Sequence, residues 1–348
     1  MKIDWWLILP CLLLLALGLT VLRSVAPDQL SYQLLFTAVS IVIYLFVSAI
    51  DYQVLLSLHL PIYIGSLIFL LAPFVFGSHS RGALRWLQFD QISVQPSELI
   101  KPFLLLTFVY LATLPHLAHR HLWLIAAFLL PSVIIFFQPD LGTALVIAVG
   151  WLTIFISLIP PRWTITGLVT GLLLLAPVTW FVLKPYQQDR LLTFVNPYSD
   201  PLNRGYHVIQ STIAVGSGQF WGRGLGHGTQ SQLRFLPERH TDFIFASLSE
   251  ELGFFGSVLT LLLYLVFFRR IYHLSHLTAD PASALFCLGV LAMLTFQVFI
   301  NIGMNMGLAP VTGITLPFLS YGGSSLVSLA VTLGLLTSIS SKSSKFWV

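Results

Sequence analysis

Charged residues are scarce in this chain. Asp, Glu, Lys and Arg together make up 9% of the 348 residues, whereas 56% are hydrophobic and 14% are aromatic. Because a soluble domain carries about 25% charged residues, this composition excludes an ordinary soluble protein and predicts an integral membrane protein. At roughly 20 residues per span, about ten helices with short loops fit into this length.

Cysteine and the common catalytic motifs are nearly absent as well. Cys11 and Cys287 both fall inside apolar segments, so we expect neither a disulfide nor a metal site from them. The chain has no zinc-ligand spacing, no Walker A lysine motif and no catalytic-serine elbow. The net charge of +4 comes from scattered basic residues, which disfavours nucleic-acid binding. No small-residue cleavage site follows the first apolar run, which we therefore expect to be a span and not a removable signal peptide.

Long apolar runs account for most of the sequence. They predict an all-α polytopic membrane protein, with residues 1–348 forming a single integral membrane domain. The ten predicted spans are Trp5–Arg23, Leu30–Ile50, Val54–Phe76, Pro96–Leu114, Leu122–Phe137, Leu141–Ile159, Trp163–Leu183, Phe243–Phe268, Pro281–Met306 and Ile314–Ser338.

The short loops predict the orientation of the chain. Loops that face the cytoplasm carry an excess of Lys and Arg. With the N-terminus inside, the outer short loops hold Arg23, Arg81 and Arg85. The inner face then holds a larger set, namely Lys2, Arg120, Arg162, Arg269, Arg270, Lys342 and Lys345. We therefore expect both termini in the cytoplasm.

One loop is much longer than the others. It runs from Lys184 to Thr241, between the seventh and eighth spans, and lies outside the cell in this orientation. Loops longer than about 12–15 residues are usually functional or disordered. This one carries many aromatic residues and a glycine-dense run over residues 216–228. That mixture predicts a folded, partly re-entrant cap at the membrane interface.

Ionisable residues are concentrated where this loop meets the eighth span. Asp242 follows Arg239, His240 and Thr241. An acid in this place is either a structural residue at a helix N-terminus or a general base at the outer surface. Glu250 lies about 12 Å deeper on the same helix, on a stripe of small and polar residues. Such a stripe lines a cavity or packs on another helix more readily than it faces lipid.

A second polar group precedes and opens the fourth span. Glu98 and Lys101 are three residues apart and can pair on one helix face. They form either a structural ion pair or the floor of a polar cavity in which Lys101 attracts an anion. Arg81 and Arg85 lie just upstream, and arginine is a frequent ligand of diphosphate. Interfacial anchoring is the alternative for both arginines.

Two further segments carry polar residues at span ends. Asp140 precedes the sixth span, where it either caps the helix or pairs with Lys101 or an arginine. Proline and paired glycines interrupt the apolar run between Asn301 and Ser325, close to Ser324. This interruption indicates either a kinked packing helix or exposed backbone amides that bind an anion.

These motifs, in this order, resemble the SEDS family of polytopic membrane proteins (shape, elongation, division and sporulation). The resemblance covers nearly the whole chain. Arg239 and the Gly-Thr-Gln-Ser-Gln run are more similar to the rod-shape (RodA) branch than to the division (FtsW) branch. The matching segments are Gln95–Lys101, Gln138–Gly142, Gly228–Phe245, Glu250–Gly253 and Leu316–Ser325.

The resemblance implies a peptidoglycan glycosyltransferase that polymerises lipid II at the outer face of the cytoplasmic membrane. The family's essential aspartate matches Asp242, the hypothesised general base for an inverting reaction. The diphosphate would be held by Arg81, Arg85, Lys101 or Arg239, with or without a divalent cation. No other cofactor is implied. The implied partners are a class B penicillin-binding protein, which is a transpeptidase, and the other proteins of the elongation complex.

Two other functions compete with this one. A flippase for the same lipid precursor also needs a polar cavity, built from Glu98, Lys101, Asp140 and Glu250, but with access from both membrane faces. A non-catalytic scaffold of the cell-wall complex would tolerate the loss of the Asp242 carboxylate. The clustering of the polar groups towards the outer side favours the enzyme.

Overall fold

In the computed structural model, residues 4–80, 83–89, 92–114, 117, 119–160, 183–201 and 205–343 are described. Within them, seven helices are long and apolar enough to span a membrane, and the shorter apolar helices Lys101–Thr113 and Leu141–Ile156 accompany these. This architecture confirms the all-α polytopic class. The predicted seventh span, Trp163–Leu183, lies outside the described residues except for its last residue.

Within the described residues, eight α-helices lie in the first half of the chain. They are α1 Trp5–Val25, α2 Leu30–Ala49, α3 Tyr52–Ser57, α4 His59–Phe76, α5 Pro96–Leu99, α6 Lys101–Thr113, α7 Arg120–Phe137 and α8 Leu141–Ile156. In the second half they are α9 Pro185–Val195, α10 Tyr206–Ser217, α11 Thr229–Gln232, α12 Ile244–Leu277, α13 Pro281–Asn305 and α14 Gly323–Ser343.

Four predicted spans need correction, including the eighth, whose helix extends to Leu277 instead of Phe268. The third span consists of two helices, α3 and α4, and the fourth is divided into α5 and α6 at Ile100. The tenth starts at Gly323 instead of Ile314. Residues 314–322 are not helical because Pro317 lacks a backbone N–H and Phe318 adopts a positive φ of 66°.

The last helix, α14, forms the centre of the bundle. Within its apolar stretch 83% of the residues are buried, compared with 22% for α2, against which it packs. A Cβ at Gly334 would lie 2.7 Å from the Cβ of Val47, so the glycine allows α14 and α2 to approach closely. Small residues serve this purpose at helix–helix contacts in membranes.

Ion pairs and a hydrogen bond join helices at one end of the bundle. The Asp4 carboxylate accepts hydrogen bonds from Arg270 Nη2 at 2.7 Å and from Ser340 Oγ at 2.7 Å. Asp51 pairs with Lys342 nearby. The start of α1 and the ends of α12 and α14 therefore meet here, at the end opposite to Gly323.

The long loop is folded and includes α9, α10 and α11. Its glycine run packs against α12, which is broken at Gly253, where φ is 65° and ψ is −158°. The break exposes carbonyl groups, and Arg223 N donates to Glu250 O at 2.9 Å and Gly224 N to Glu251 O at 3.0 Å. The loop thus satisfies backbone groups that the interrupted helix leaves open.

A small antiparallel sheet, not predicted from the sequence, connects α4 to α5. Its strands are β1 Ser78–Ser80, β2 Ala83–Phe89 and β3 Ile92–Val94, in the order β1-β2-β3. Leu87 pairs with Val94, and Gln88 with Ser93. The sheet fixes Arg85 and Trp86 next to the beginning of α5.

Candidate active site

A tight turn presents Asp242 at the start of α12. Glu238 has a positive φ of 50°, and its carbonyl accepts the N–H groups of Thr241 at 3.1 Å and Phe243 at 3.2 Å. The Asp242 carbonyl in turn accepts hydrogen bonds from Asn301 Nδ2 at 3.1 Å and Asn305 Nδ2 at 3.0 Å. Both amides are fully buried on α13, so the backbone of Asp242 is bound to α13 at two points.

The turn borders a polar cavity of about 330 Å³, which we call the Asp242 cavity. Its walls come from the turn, from β2 and β3, from α2, α5, α8 and the start of α14, and from the segment between α13 and α14. The charged and polar lining side chains are Arg85, Gln88, Ser93, Gln95, Glu98, Thr143, Glu238, His240, Thr241, Asp242, Thr315, Tyr321, Ser324 and Ser325.

The carboxylate of Glu98 forms one wall and is itself held in place. Lys101 Nζ lies 2.7 Å from Glu98 Oε2, and Thr143 Oγ1 donates to Glu98 Oε1 at 3.2 Å. Glu98 and Lys101 are 8% and 5% exposed, so the pair is buried as a unit. Removing one partner of such a pair would leave an uncompensated buried charge.

Asp140 stands behind the same wall. Its Oδ2 accepts hydrogen bonds from Gln95 Nε2 at 2.6 Å and Ser97 Oγ at 2.7 Å, and its Oδ1 caps α8 through Thr143 N at 3.3 Å. Arg85 Nη1 lies 3.9 Å from Asp140 Oδ1. Both predicted roles for Asp140, helix cap and partner of an arginine, are thus present together.

The segment before α14 closes the cavity on the side of Asp242. A Cβ at Gly313 would lie 3.6 Å from Asp242 Oδ2, so this backbone lies against the carboxylate. Tyr321 N donates to His240 O at 2.9 Å, and Ser320 Oγ donates to Thr241 O at 2.7 Å. These bonds join the segment to the turn, and they are possible because the helix of the tenth span begins only at Gly323.

Comparisons with known proteins agree with this arrangement. The model of the FtsW, RodA and SpoVE family, described as cell cycle proteins, matches residues 6–345. This chain belongs to that family. The predicted resemblance to the SEDS family is therefore confirmed.

Individual family members match over most of their length. The chain is 41% identical over 285 residues to the peptidoglycan glycosyltransferase MrdB of Escherichia coli K12, which covers 80% of this chain and 76% of the relative. A chain of a peptidoglycan synthase complex that coordinates polymerization and crosslinking superimposes with a TM-score of 0.84 at 34% identity and 99% coverage of both chains. The crystal structure of Thermus thermophilus RodA superimposes with a TM-score of 0.73 at 28% identity and 97% coverage of both.

Most of the predicted site residues of this SEDS protein come together. Arg85, Glu98, His240, Asp242 and Ser324 line one cavity. Ser324 Oγ also accepts the backbone N–H of Gln95 at 2.8 Å, so it fixes the junction of α14 and α5. Lys101 and Asp140 stand directly behind the lining residues, whereas Arg81 lies outside the described residues.

Two predicted site residues point elsewhere. Arg239 Nε donates to Val25 O at 2.9 Å, and burial together with the nearby Arg234 lowers the pKa of its guanidinium. Glu250 is fully buried against the long loop, where it accepts hydrogen bonds from Gln230 N at 2.8 Å and Ser231 N at 3.0 Å. In the described part of the chain neither side chain lines the Asp242 cavity.

Sequence reasoning gave no role to several residues of the cavity. Glu238 and Tyr321 belong to motifs that carried the family resemblance, but no local pattern indicates that they face Asp242. Thr143 lies one residue beyond the Gln138–Gly142 motif and is the third residue of α8. A polar side chain in the first turn of this helix, next to the motif, is the sequence signal for its place in the cavity. Among the described residues, no three His, Cys, Asp or Glu side chains group closely enough to bind a metal ion.

Proposed function

We propose that this protein is a peptidoglycan glycosyltransferase that polymerises lipid II into β-1,4-linked glycan strands during cell elongation. The observation that carries the proposal is the Asp242 side chain on the wall of a polar cavity that also holds Arg85. The names of the relatives, MrdB and RodA among them, support the same activity.

Asp242 acts as the general base. It accepts the proton of the acceptor's 4-hydroxyl while that oxygen attacks the anomeric carbon of the donor. The bond between this carbon and the diphosphate oxygen breaks, and the electron pair leaves with the lipid diphosphate. A single displacement from an α-linked donor gives a β linkage, so one carboxylate is sufficient, unlike the two carboxylates of glycoside hydrolysis.

Arg85 binds the diphosphate of the donor. Its guanidinium is planar, presents several donors and stays charged. Its side chain is 31% exposed, and its buried Nε has no hydrogen-bond partner within the described residues. Lys101 is less suited to this role because its ammonium group contacts Glu98. Glu98, Lys101, Asp140 and Ser324 hold the cavity wall in shape.

The protein lies in the cytoplasmic membrane with both termini in the cytoplasm. The Asp242 cavity and the Asp4–Arg270 pair lie at opposite ends of the bundle. The positive-inside rule then puts the cavity at the outer surface, where lipid II is consumed. A class B penicillin-binding protein crosslinks the strands, and the likeness to a chain of a peptidoglycan synthase complex supports such a partner.

Polymerisation of labelled lipid II tests the activity. The purified protein, together with its transpeptidase partner, should yield a ladder of glycan strands, and Asp242→Asn should abolish it. No ladder from the folded wild-type complex would contradict the proposal and favour a flippase, which a flipping assay in vesicles would detect. A ladder from Asp242→Asn would contradict the role of Asp242 as the base.

Arg85→Lys tests the contact with the diphosphate. The substitution keeps the positive charge but loses the planar fork, so we expect KM for lipid II to rise about tenfold with a smaller change in kcat. Arg269→Lys is the matched control, because Arg269 is exposed and lies in the C-terminal part of α12, far from the Asp242 turn. It should leave KM unchanged. Equal KM values for wild type and Arg85→Lys would exclude Arg85 as a ligand of the diphosphate.

A further inference from the structure

A second cavity, of about 240 Å³, lies in the long loop next to the Asp242 cavity. We call it the loop cavity. Helix α9 contributes Asp189, Arg190, Thr193 and Phe194 to its lining. The facing wall comes from α10 and from the segment before α14, through His207, Val208 and Val311. The reaction proposed above uses none of these residues.

The two cavities share a thin wall. Val311 lines the loop cavity and Gly313 lines the Asp242 cavity, so lining residues of the two cavities are two positions apart on one segment, with their Cα atoms separated by at most about 7 Å. Arg190 Nη1 donates to the carbonyl of Thr312 between them at 3.2 Å. A ligand in the loop cavity therefore lies against a segment that also borders the Asp242 cavity.

His207 connects the loop cavity to the turn of Asp242. Its ring stacks on Phe243 with a centroid distance of 6.1 Å and an interplanar angle of 22°. Burial lowers the pKa of His207, whereas Glu238 acts in the opposite direction. Its Nδ1 is buried and has no hydrogen-bond partner within the described residues. A buried polar atom of this kind calls for a partner, which a ligand in the cavity can supply.

The lining fits a carbohydrate ring. Phe194, Val208 and Val311 offer apolar surface, while Thr193 and His207 offer neutral hydrogen-bonding groups. A sugar presents both kinds of surface, with C–H faces and a rim of hydroxyl groups. The volume is below the roughly 300–1,000 Å³ of sites for drug-sized ligands, so the cavity suits a single ring.

We propose that the loop cavity binds a sugar unit of the growing glycan strand. This inference rests on the proposed polymerase activity and extends it. A strand held at a second site stays at a high effective concentration beside Asp242 between successive couplings. Loss of the loop cavity therefore shortens the strands more than it slows the coupling of the first two lipid II molecules, for which no strand exists yet.

Filling the cavity tests this proposal. Thr193→Tyr places a large side chain inside it, and Leu192→Tyr adds the same side chain at the neighbouring, 55% exposed position of α9. We expect the mean strand length to fall at least threefold in Thr193→Tyr, with the initial coupling rate reduced by a smaller factor. Leu192→Tyr should make strands of wild-type length. Equal lengths in all three proteins, or equal losses of length and coupling rate in Thr193→Tyr, would overturn the proposal.

A binding measurement separates this proposal from the activity itself. The probe is a peptide-free, lipid-free glycan oligomer added to the complex with the Asp242→Asn chain, in which no coupling occurs. Thr193→Tyr should weaken binding at least tenfold. His207→Phe keeps a ring against Phe243 but removes Nδ1, so it should weaken binding about fivefold.

Unchanged affinity in both variants would overturn the loop-cavity proposal while leaving the polymerase intact. Absence of any glycan ladder from the wild type would instead contradict the proposed function.

Discussion

Two carboxylates on the same stretch of chain, Asp242 and Glu250, occupy opposite kinds of environment. The carboxylate of Asp242 faces a cavity of about 330 Å³, and the amides of Asn301 and Asn305 hold its backbone in place. Glu250 is fully buried, and donors from Thr229, Gln230 and Ser231 surround both of its oxygens. A fixed backbone with an accessible carboxylate suits chemistry, whereas a carboxylate surrounded by protein donors suits structure.

The difference shows how this fold uses acids inside an apolar bundle. Glu250 caps α11 and so holds the long loop against α12. The neighbouring Glu251 extends this contact, since its Oε1 accepts hydrogen bonds from Ser24 Oγ and from Gly226 N, the latter at 3.1 Å. The structural acids thus stabilise the loop on which both the Asp242 turn and the loop cavity depend.

Exchanging Asp242 for its amide should separate activity from stability most clearly. Asp242→Asn keeps the shape of the side chain but cannot take up a proton, so polymerisation should fall by at least about 100-fold. The backbone bonds from Asn301 and Asn305 do not involve the side chain and remain in the variant, so the loss of activity should be much larger than any loss of thermal stability. An equal loss of activity and of stability would mean that Asp242 is structural.

The amide exchange at Glu250 should give the reverse result. In Glu250→Gln an NH₂ group replaces one carboxylate oxygen. This group cannot accept the hydrogen bonds that the oxygen accepted, so at least one buried donor loses its partner. We expect the free energy of unfolding to fall by about 2 kcal/mol. Activity per folded molecule should fall much less than in Asp242→Asn. A stable Glu250→Gln protein without activity would indicate that Glu250 takes part in catalysis.

The sequence predicted most of the spans and assigned Asp242 to catalysis, but it also placed Glu250 among the site residues. Hydropathy identifies apolar helices because it depends on local composition. The donors that surround Glu250 come from a segment about 20 residues earlier in the chain. The hydrogen bond from Gln95 N to Ser324 Oγ joins residues that are 229 positions apart. The periodicity of hydrophobic residues along a segment contains no information about such contacts. The family motifs identified Asp242 through resemblance, and the same motifs included Glu250, whose role only the folded loop reveals.

Gly222 offers a smaller change at the loop contact of Glu250 and Glu251. Its φ is 80°, and an added Cβ would lie 2.1 Å from the carbonyl oxygen of Glu251. Gly222→Ala should therefore cost about 2 kcal/mol of unfolding free energy through backbone strain and displacement of the loop. Gly216→Ala is the matched control because its Cβ would meet nothing within 4 Å. Gly216→Ala should leave the free energy of unfolding unchanged or raise it slightly. Equal melting temperatures of the two variants would contradict the close packing of Gly222 against Glu251.

The weakest effect is expected at the opposite end of the bundle, where Asp51 pairs with Lys342. The hydrogen bond from Lys342 lowers the pKa of Asp51 in the folded protein. Both side chains are more than a third exposed, at 39% and 42%, so solvent screens the pair and its contribution is only about 0.2–1 kcal/mol. Asn also accepts the capping bond that Gln53 N donates at 2.9 Å, so Asp51→Asn removes the charge but keeps the cap.

The pH dependence of this variant identifies the ion pair as the cause. A lowered folded-state pKa contributes stability above the unfolded value of about 3.9, and the contribution disappears as the pH falls through the folded value. Asp51→Asn should therefore melt slightly below the wild type at pH 7, and the difference should vanish in acid and shrink in high salt. A difference that persists in acid would assign the effect to the helix cap. Unlike the acids near the Asp242 cavity, this exposed acid should affect neither polymerisation nor strand length.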